Sequence, residues 1–399
     1  MRLWSINFNG GGGDKMKWKK PGREYEHIYM KIEQKGKFYL WGAGDYGLQF
    51  LNIMKKEIEV IGFIDNDIKK QKKDFEGYLC TDLSGVDLSD EKTGIIITVS
   101  QMQRNAIMLQ LEAAEYVYNE DFFIIEEFLS VYFVYKYNKV YFSSISLLPS
   151  TACNLKCEAC LNFNPFASKF YVREWEKVTA DIDLFFKCVD RIMLFHISGG
   201  EPMLYKKIAD LIEYLDKNYG DRIDTLRTVT NGTVVPEDLV FEKLSKCNFE
   251  ITVDDYRDAV PQYKNNFVKL IEKLKQYHIK YYINKADEWI DLAPDRTDFT
   301  AWTEEKLQKH FDECCQAWQE LRDGKLYSCN YDAYATIAGI NEEPKEEAFD
   351  LVKFNKTKKK ELVEFRLGYN HKGYVNFCKK CMGFSSKNPY KVVPAKQKE

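Results

Sequence analysis

The sequence predicts an α/β protein of two or three domains built on largely parallel sheets. Three observations carry this. Short apolar runs alternate with helix-length amphipathic segments through most of the chain. A length of 399 residues exceeds one ordinary domain. A composition 45% hydrophobic and 15% aromatic supplies ample core. The formal net charge of −3 gives no basic excess for a phosphate backbone, so no nucleic-acid partner is expected. The most apolar stretch, 122–142, is interrupted by Glu and Lys, so no membrane span is expected. The first twenty residues lack the apolar h-region of a signal peptide, which makes the cytoplasm the expected compartment.

The elements follow in order. KFYLW (37–41) reads as a buried strand running into GAGDYG and an amphipathic helix; EVIGFI (59–64) and GIIITVS (94–100) are further strands. These make a first domain over 22–130. A second series begins with VYFSSISLLPS (140–150). It continues through the strands MLFHIS, TLRTVTNG, FEITVDD and KYYINKA, each joined by a helix-length segment. Five strands in this rhythm predict a (β/α) barrel or part of one over 140–310. From 311 to 390 the rhythm fades and LRDGKLYSC reads as a hairpin. The charge run NKTKKKE (355–361) reads as a solvated face.

Eleven cysteines without an export signal point to metal ligation or thiol chemistry rather than disulfides. Cys153, Cys157 and Cys160 stand on one short loop directly after a strand, a spacing that lets a single loop wrap one face of an iron–sulfur cubane. Three ligands for four irons leave one iron open to a substrate. A zinc loop completed by a distant fourth ligand is the competing reading. Cys80, Cys188 and Cys247 lie on apolar segments and read as core packing.

The CxxxCxxC spacing resembles the signature of the radical S-adenosylmethionine (SAM) superfamily, and other motifs fall where that family has them. SGGEP, with Gly199, Gly200, Glu201 and Pro202, ends the next strand. The resemblance implies that it contacts the amino group of SAM, with glycines for close approach and a carboxylate to pair an ammonium. TNGT, with Thr230, Asn231 and Gly232, and VDDY, with Asp254 and Asp255, resemble the motifs at the following strand ends. The resemblance covers about 140–310. It implies a catalytic [4Fe–4S] cluster on Cys153, Cys157 and Cys160, bound SAM, its reductive cleavage to a 5′-deoxyadenosyl radical, hydrogen abstraction from a substrate, and a flavodoxin or ferredoxin as reductant. One departure stands out: Glu158 occupies a position that is commonly aromatic, with Phe163 or Phe166 as substitutes.

Cys314, Cys329, Cys378 and Cys381 resemble the shortened SPASM module called Twitch, which implies a second, auxiliary [4Fe–4S] cluster over 311–390; Cys315 rivals Cys314, and structural zinc is again the alternative. Gly42, Gly44 and Gly47 form GxGxxG between a strand and a helix, with Asp65 ending the next strand. That is the context of a Rossmann-like nucleotide site, with glycines for the turn, a helix N-terminus for phosphate and an acid for ribose. The WGAG…GFIDND pattern resembles the N-terminal domain of bacterial sugar acyltransferases. A docking platform without ligand is the alternative. These resemblances together imply a Rossmann-like domain, a partial (β/α) barrel of radical SAM type and a small iron–sulfur module. They favour a carbohydrate or nucleotide-linked substrate and an oxidation of it. A peptide maturase and a non-catalytic zinc protein are the rival functions.

Overall fold

The computed structural model describes residues 16–398 apart from 89, 315–317, 344–346 and 386. The chain divides into two compact units, residues 20–139 and residues 16–19 with 140–398.

The first unit holds α1 (Glu26–Gln34), β1 (Lys37–Trp41), α2 (Asp45–Met54), β2 (Glu59–Ile64), β3 (Asp74–Phe75), β4 (Tyr78–Thr81), β5 (Thr93–Ile97), α3 (Gln101–Ala113), β6 (Phe122–Ile124) and α4 (Ile125–Tyr137). Its sheet runs β3-β4-β2-β1-β5-β6 and is parallel at every joint except β3–β4. Parallel strands covered on both faces read as continuous apolar runs, which is why β1, β2 and β5 were visible in the sequence. The apolar run 122–142 is divided among β6, α4 and the start of the next unit. Asn138, at φ +52°, ends α4 in the left-handed conformation that short polar side chains tolerate. Phe38, Phe50, Phe63, Phe123 and Phe128 are fully buried, and Phe128 meets Phe38, Phe50 and Phe123 edge to face.

The second unit holds β7 (Tyr141–Leu147), α5 (Trp175–Cys188), β8 (Arg191–Ile197), α6 (Ile208–Tyr219), β9 (Ile223–Thr230), α7 (Asp238–Leu244), β10 (Glu250–Asp254), α8 (Lys264–Gln276) and β11 (Lys280–Asn284). These are the five strands read from the sequence, all parallel, in the order β11-β10-β9-β8-β7. After β12 (Trp289–Ile290) and α9 (Glu304–Asp312) come β13 (Glu320–Arg322), β14 (Lys325–Tyr327), α10 (Asn330–Ile337), β15 (Ala348–Asp350), α11 (Lys359–Arg366) and β16 (Lys391–Val392). Strand β13 adds in parallel beside β7, and β14 and β15 extend the same sheet antiparallel. The segment from 311 onward is thus continuous with the barrel sheet. Cys80 and Cys188 are buried as core residues, and Cys247 is half-buried.

Two buried carboxylates join the hairpin to the barrel. Asp181 on α5 pairs with the buried Arg173 and accepts the N–H groups of Asp323 (2.8 Å) and Gly324 (2.7 Å) at the β13–β14 turn. Both turn residues have positive φ (+51° and +72°), the geometry that favours an Asp–Gly pair. Glu320 on β13 accepts from the Leu148 N–H (2.8 Å) and the Tyr334 hydroxyl (3.1 Å). It therefore holds the backbone at the exit of β7.

Replacing Asp181 by Ala leaves Arg173 buried and unpaired, a loss of about 3–5 kcal/mol, measured by denaturant unfolding. An unchanged unfolding midpoint would show that the pair is not coupled to the fold. Burial raises the Glu320 carboxyl to about 7, against the lowering pull of the Leu148 N–H and Arg322. The folded state therefore holds a proton that the unfolded chain releases at about 4.3. Its stability contribution is full below that value and is lost as pH rises through about 7. Melting of the metal-free protein is expected to fall over this range, with Glu320→Gln giving a flatter profile than wild type.

Candidate active site

The loop after β7 carries Cys153, Cys157 and Cys160, and the turn after β8 lies directly against it. The Gly200 N–H donates to Ser150 O (3.0 Å) and the Glu201 N–H to Ala152 O (2.7 Å). A Cβ built on Gly200 would stand 2.2 Å from Thr151 O and 2.5 Å from Ala152 O, so no side chain fits there. The Asn162 side-chain amide donates to Gly199 O, closing the loop from its far side.

Glu201 is 1% exposed. One of its carboxylate oxygens accepts from the Met203 N–H (2.9 Å) and the Thr230 hydroxyl (2.7 Å), the other from the Asn231 N–H (2.7 Å). It ties the end of β8 to the end of β9. Burial raises its carboxyl to about 7, against these hydrogen bonds, which lower it. Asn231 in turn directs its side-chain N–H at Cys153 Sγ (3.8 Å) and at Asn154 Oδ1 (3.3 Å). Gly232 takes φ +71° with Phe267 beside it, where a Cβ would stand 2.7 Å from the ring. Pro202 opens a short 3₁₀ turn that Glu201 caps. Asp254 accepts from Tyr256 (2.6 Å) and Asn284 (2.7 Å), and burial raises its carboxyl. Asp255 is held by Arg257 (2.7 Å), whose hydrogen bond lowers the carboxyl. The structure therefore brings Cys153, Gly199, Gly200, Glu201, Pro202, Thr230, Asn231 and Gly232 into one hydrogen-bonded neighbourhood at the strand ends.

The three thiols sit among Leu155, Val260, Ala395, Tyr256, Ala259, Tyr263 and Trp289. Burial pushes Cys153 up to about 12 and Cys157 up to about 11, and also raises Cys160. Thiolates in such a setting need the charge of a bound metal, and an all-sulfur donor set suits iron–sulfur ligation. The residues present fit a cluster. Glu158, where an aromatic was expected, instead pairs with Lys396 (3.1 Å). Phe163, the first possible substitute, is 2% exposed and packs at a steep angle against Phe377, so it is buried in the core; Phe166 is half-buried.

Cys314, Cys329, Cys378 and Cys381 line one small pocket together with His310, Tyr331 and Phe377. Backbone N–H groups of Phe384 and Gly383 donate to Cys314 and Cys381 (both 3.3 Å). Burial raises Cys329, Cys378 and Cys381 well above the usual thiol value. Cys315 lies outside the described residues.

In the first unit, Gly42 and Gly44 make the turn from β1 into α2, and Gly47 stands in the first turn of that helix. A Cβ on Gly47 would stand 2.2 Å from Gly42 O. Asp65 reaches this turn and accepts from the Ala43 N–H (3.1 Å) and from Lys70 (2.9 Å), which also donates to Ala43 O (2.8 Å). The acid expected to meet a ribose is thus paired with a lysine that the motif did not flag.

Two further features escaped sequence reading. Ser146, His196, Arg227, Glu250 and Lys280 stand in register across the five parallel strands. Arg227 and Lys280 both pair with Glu250, and His196 packs on Trp318 (4.8 Å between ring centroids). Phe195, the neighbour of His196 on β8, packs on Phe185 of α5, so His196 lies on the face away from that helix. The other is the segment after β16, which pairs with the cysteine loop. Nothing local in sequence announces either, apart from the unexpected Glu158.

Residues 147–285 match the model of the Radical SAM superfamily, and residues 34–120 match one described as C2185-like, N-terminal. No curated protein matches the chain. Among solved structures, "Native anSMEcpe with bound AdoMet and Kp18Cys peptide" aligns at 20% identity and TM-score 0.29 over 45% of this chain and 50% of that one. SuiB of Streptococcus suis bound to S-adenosylmethionine aligns at 20% and 0.30 over 46% and 44%. BtrN in complex with AdoMet and 2-DOIA aligns at 15% and 0.39 over 64% and 100%. The chain spans half or less of the first two.

Exchanging Gly200 for Ala forces a methyl group into two backbone carbonyls and is expected to displace the loop of Cys153. The overpacking costs about 1–3 kcal/mol. Iron per chain after anaerobic reconstitution, measured alongside the melting temperature, checks it. Full iron retention at wild-type stability would contradict the close approach.

Proposed function

We propose that this chain, which carries a radical SAM superfamily domain, is an enzyme that binds a [4Fe–4S] cluster through Cys153, Cys157 and Cys160 and holds S-adenosylmethionine beside it. The observation that carries the reading is the hydrogen-bonded junction of three strand ends: the cysteine loop, Gly199–Gly200–Glu201, and Thr230–Asn231–Gly232. When bound, the cluster and SAM supply one-electron reductive cleavage of the sulfonium to methionine and a 5′-deoxyadenosyl radical that takes a hydrogen atom from the substrate. The chain's own residues do the rest. Gly200 lets the turn approach the loop, Glu201 fixes the turn to β9, and its carboxylate is the acceptor for an ammonium. Asn231 donates toward Cys153, and the apolar shell around the thiols limits water.

The second set, Cys314, Cys329, Cys378 and Cys381, would hold an auxiliary [4Fe–4S] cluster of Twitch type. The Phe163–Phe377 contact lies between the two cysteine loops, since Phe163 follows Cys160 and Phe377 precedes Cys378. An auxiliary cluster that near in the fold suits acceptance of a substrate electron, hence an oxidation such as alcohol dehydrogenation. A carbohydrate or nucleotide-linked compound is the reading favoured over a peptide. The first unit would be a Rossmann-like domain engaging a nucleotide through Gly42, Gly44, Gly47 and Asp65, with Lys70 yielding its place. A flavodoxin or ferredoxin in a reducing cytoplasm would deliver the electron.

Anaerobic reconstitution followed by dithionite, SAM and candidate substrates tests this. Substrate-dependent 5′-deoxyadenosine is expected, and its loss when Cys153, Cys157 or Cys160 is replaced by Ala. Replacing Cys378 and Cys381 by Ala should remove about four irons per chain while leaving the SAM-sensitive EPR signal. A zinc-loaded, colourless protein, or no SAM cleavage with both clusters filled, would end the proposal.

A further inference from the structure

The segment following β16 is built onto the cysteine loop. Strand β16 pairs antiparallel with β12, and Trp289 of β12 belongs to the apolar shell around the three thiols. Beyond it, Ala395 turns inward with φ +55° and is fully buried in that shell. The chain then runs antiparallel to the loop, with a bridge between Cys157 and Gln397. The Glu158 N–H donates to Lys396 O (2.8 Å), and the Lys398 N–H to Lys156 O (2.7 Å). Lys396 also pairs with Glu158 through its side chain (3.1 Å). Gln397 uses both ends of its amide: Oε1 accepts from the Lys156 N–H (2.8 Å), and Nε2 donates to Cys157 Sγ (3.5 Å).

This explains Glu158. An aromatic residue there could not form the ion pair, and in this chain the position anchors a strand instead of supporting a ligand ring. It also places an N–H donor on a ligand sulfur. A hydrogen bond to a cluster-bound thiolate withdraws electron density and favours the more negatively charged reduced state, so it raises the cluster's reduction potential.

We propose that residues 393–398 clamp the Cys153–Cys160 loop, and that Gln397 is a positioning residue that sets the reduction potential of the cluster by donating to Cys157. The potential half of this rests on the cluster assignment made above; the clamp half does not. In the reconstituted full chain, an EPR redox titration would follow the signal that changes on adding SAM, with wild type compared against Gln397→Met and Gln397→Glu. Met removes all three amide contacts, including the one from Nε2 to Ala395 O (2.6 Å), and Glu keeps the acceptor for Lys156 but loses the donors to sulfur and to Ala395 O. Both variants are expected to be harder to reduce. A three- to ten-fold lower reduced-to-oxidised ratio at fixed poise is expected, the upper end being about 59 mV for a one-electron couple. An unchanged midpoint in both variants, with the cluster in place, overturns the role given to Gln397.

The clamp is tested in metal-free protein by timed alkylation of Cys157, read by mass spectrometry against Cys188 as the buried internal standard. A chain ending at residue 392 is expected to label Cys157 at least ten-fold faster than the full chain, with Cys188 unchanged. Equal rates overturn the clamp. If wild-type protein binds no cluster at the three cysteines, the functional reading fails while the alkylation comparison still decides the clamp.

Discussion

Most of the candidate site depends on one close approach: the backbone of Gly200 against the carbonyls of Thr151 and Ala152. Two hydrogen bonds, from Gly200 and Glu201, fasten the turn after β8 onto the loop after β7 with no side chain between them. Once the turn is there, the Glu201 carboxylate has no water and must be satisfied by protein donors. Met203, Thr230 and Asn231 supply them, and Asn231 extends the network to Cys153. The position of the first thiol is thereby coupled to the ends of three parallel strands.

The same economy governs the joints further out. Glu320 holds the backbone leaving β7, and Asp181 holds the β13–β14 turn on α5, so the segment after 311 extends the barrel sheet by buried carboxyl hydrogen bonds as well as by strand pairing. The two cysteine sets border this continuous body. Their thiols share a property that matters for loading: burial holds them in the neutral form until a metal supplies the compensating charge. In the first unit the charge logic differs. Lys70 already neutralises Asp65 beside the glycine turn, so any nucleotide there would compete with a preformed pair.

Sequence periodicity was enough for β1, β2 and β5 and for the succession β7 to β11, because each is an apolar or alternating run bounded by turn residues. Strands β4, β6 and β15 were not seen, being three or four residues of sheet whose register is set by neighbours rather than by their own pattern. The cysteine spacing and the glycines that follow it were legible because each rests on a local requirement: one loop wrapping one cubane face, and a backbone that must come close. The hairpin at Asp323–Gly324 was legible for a similar reason, since its turn needs two residues tolerant of positive φ.

The sequence by itself determined the α/β class, the five-strand succession and which thiols stand on shared loops, since these follow from spacing along the chain. Only the tertiary structure decided what those groups meet. It placed Glu201 under three donors, gave Asp65 to Lys70, buried Phe163 against Phe377, and brought Gln397 onto Cys157 across some 240 residues. Such contacts are made by elements distant in sequence, and no local pattern encodes a partner that only folding delivers.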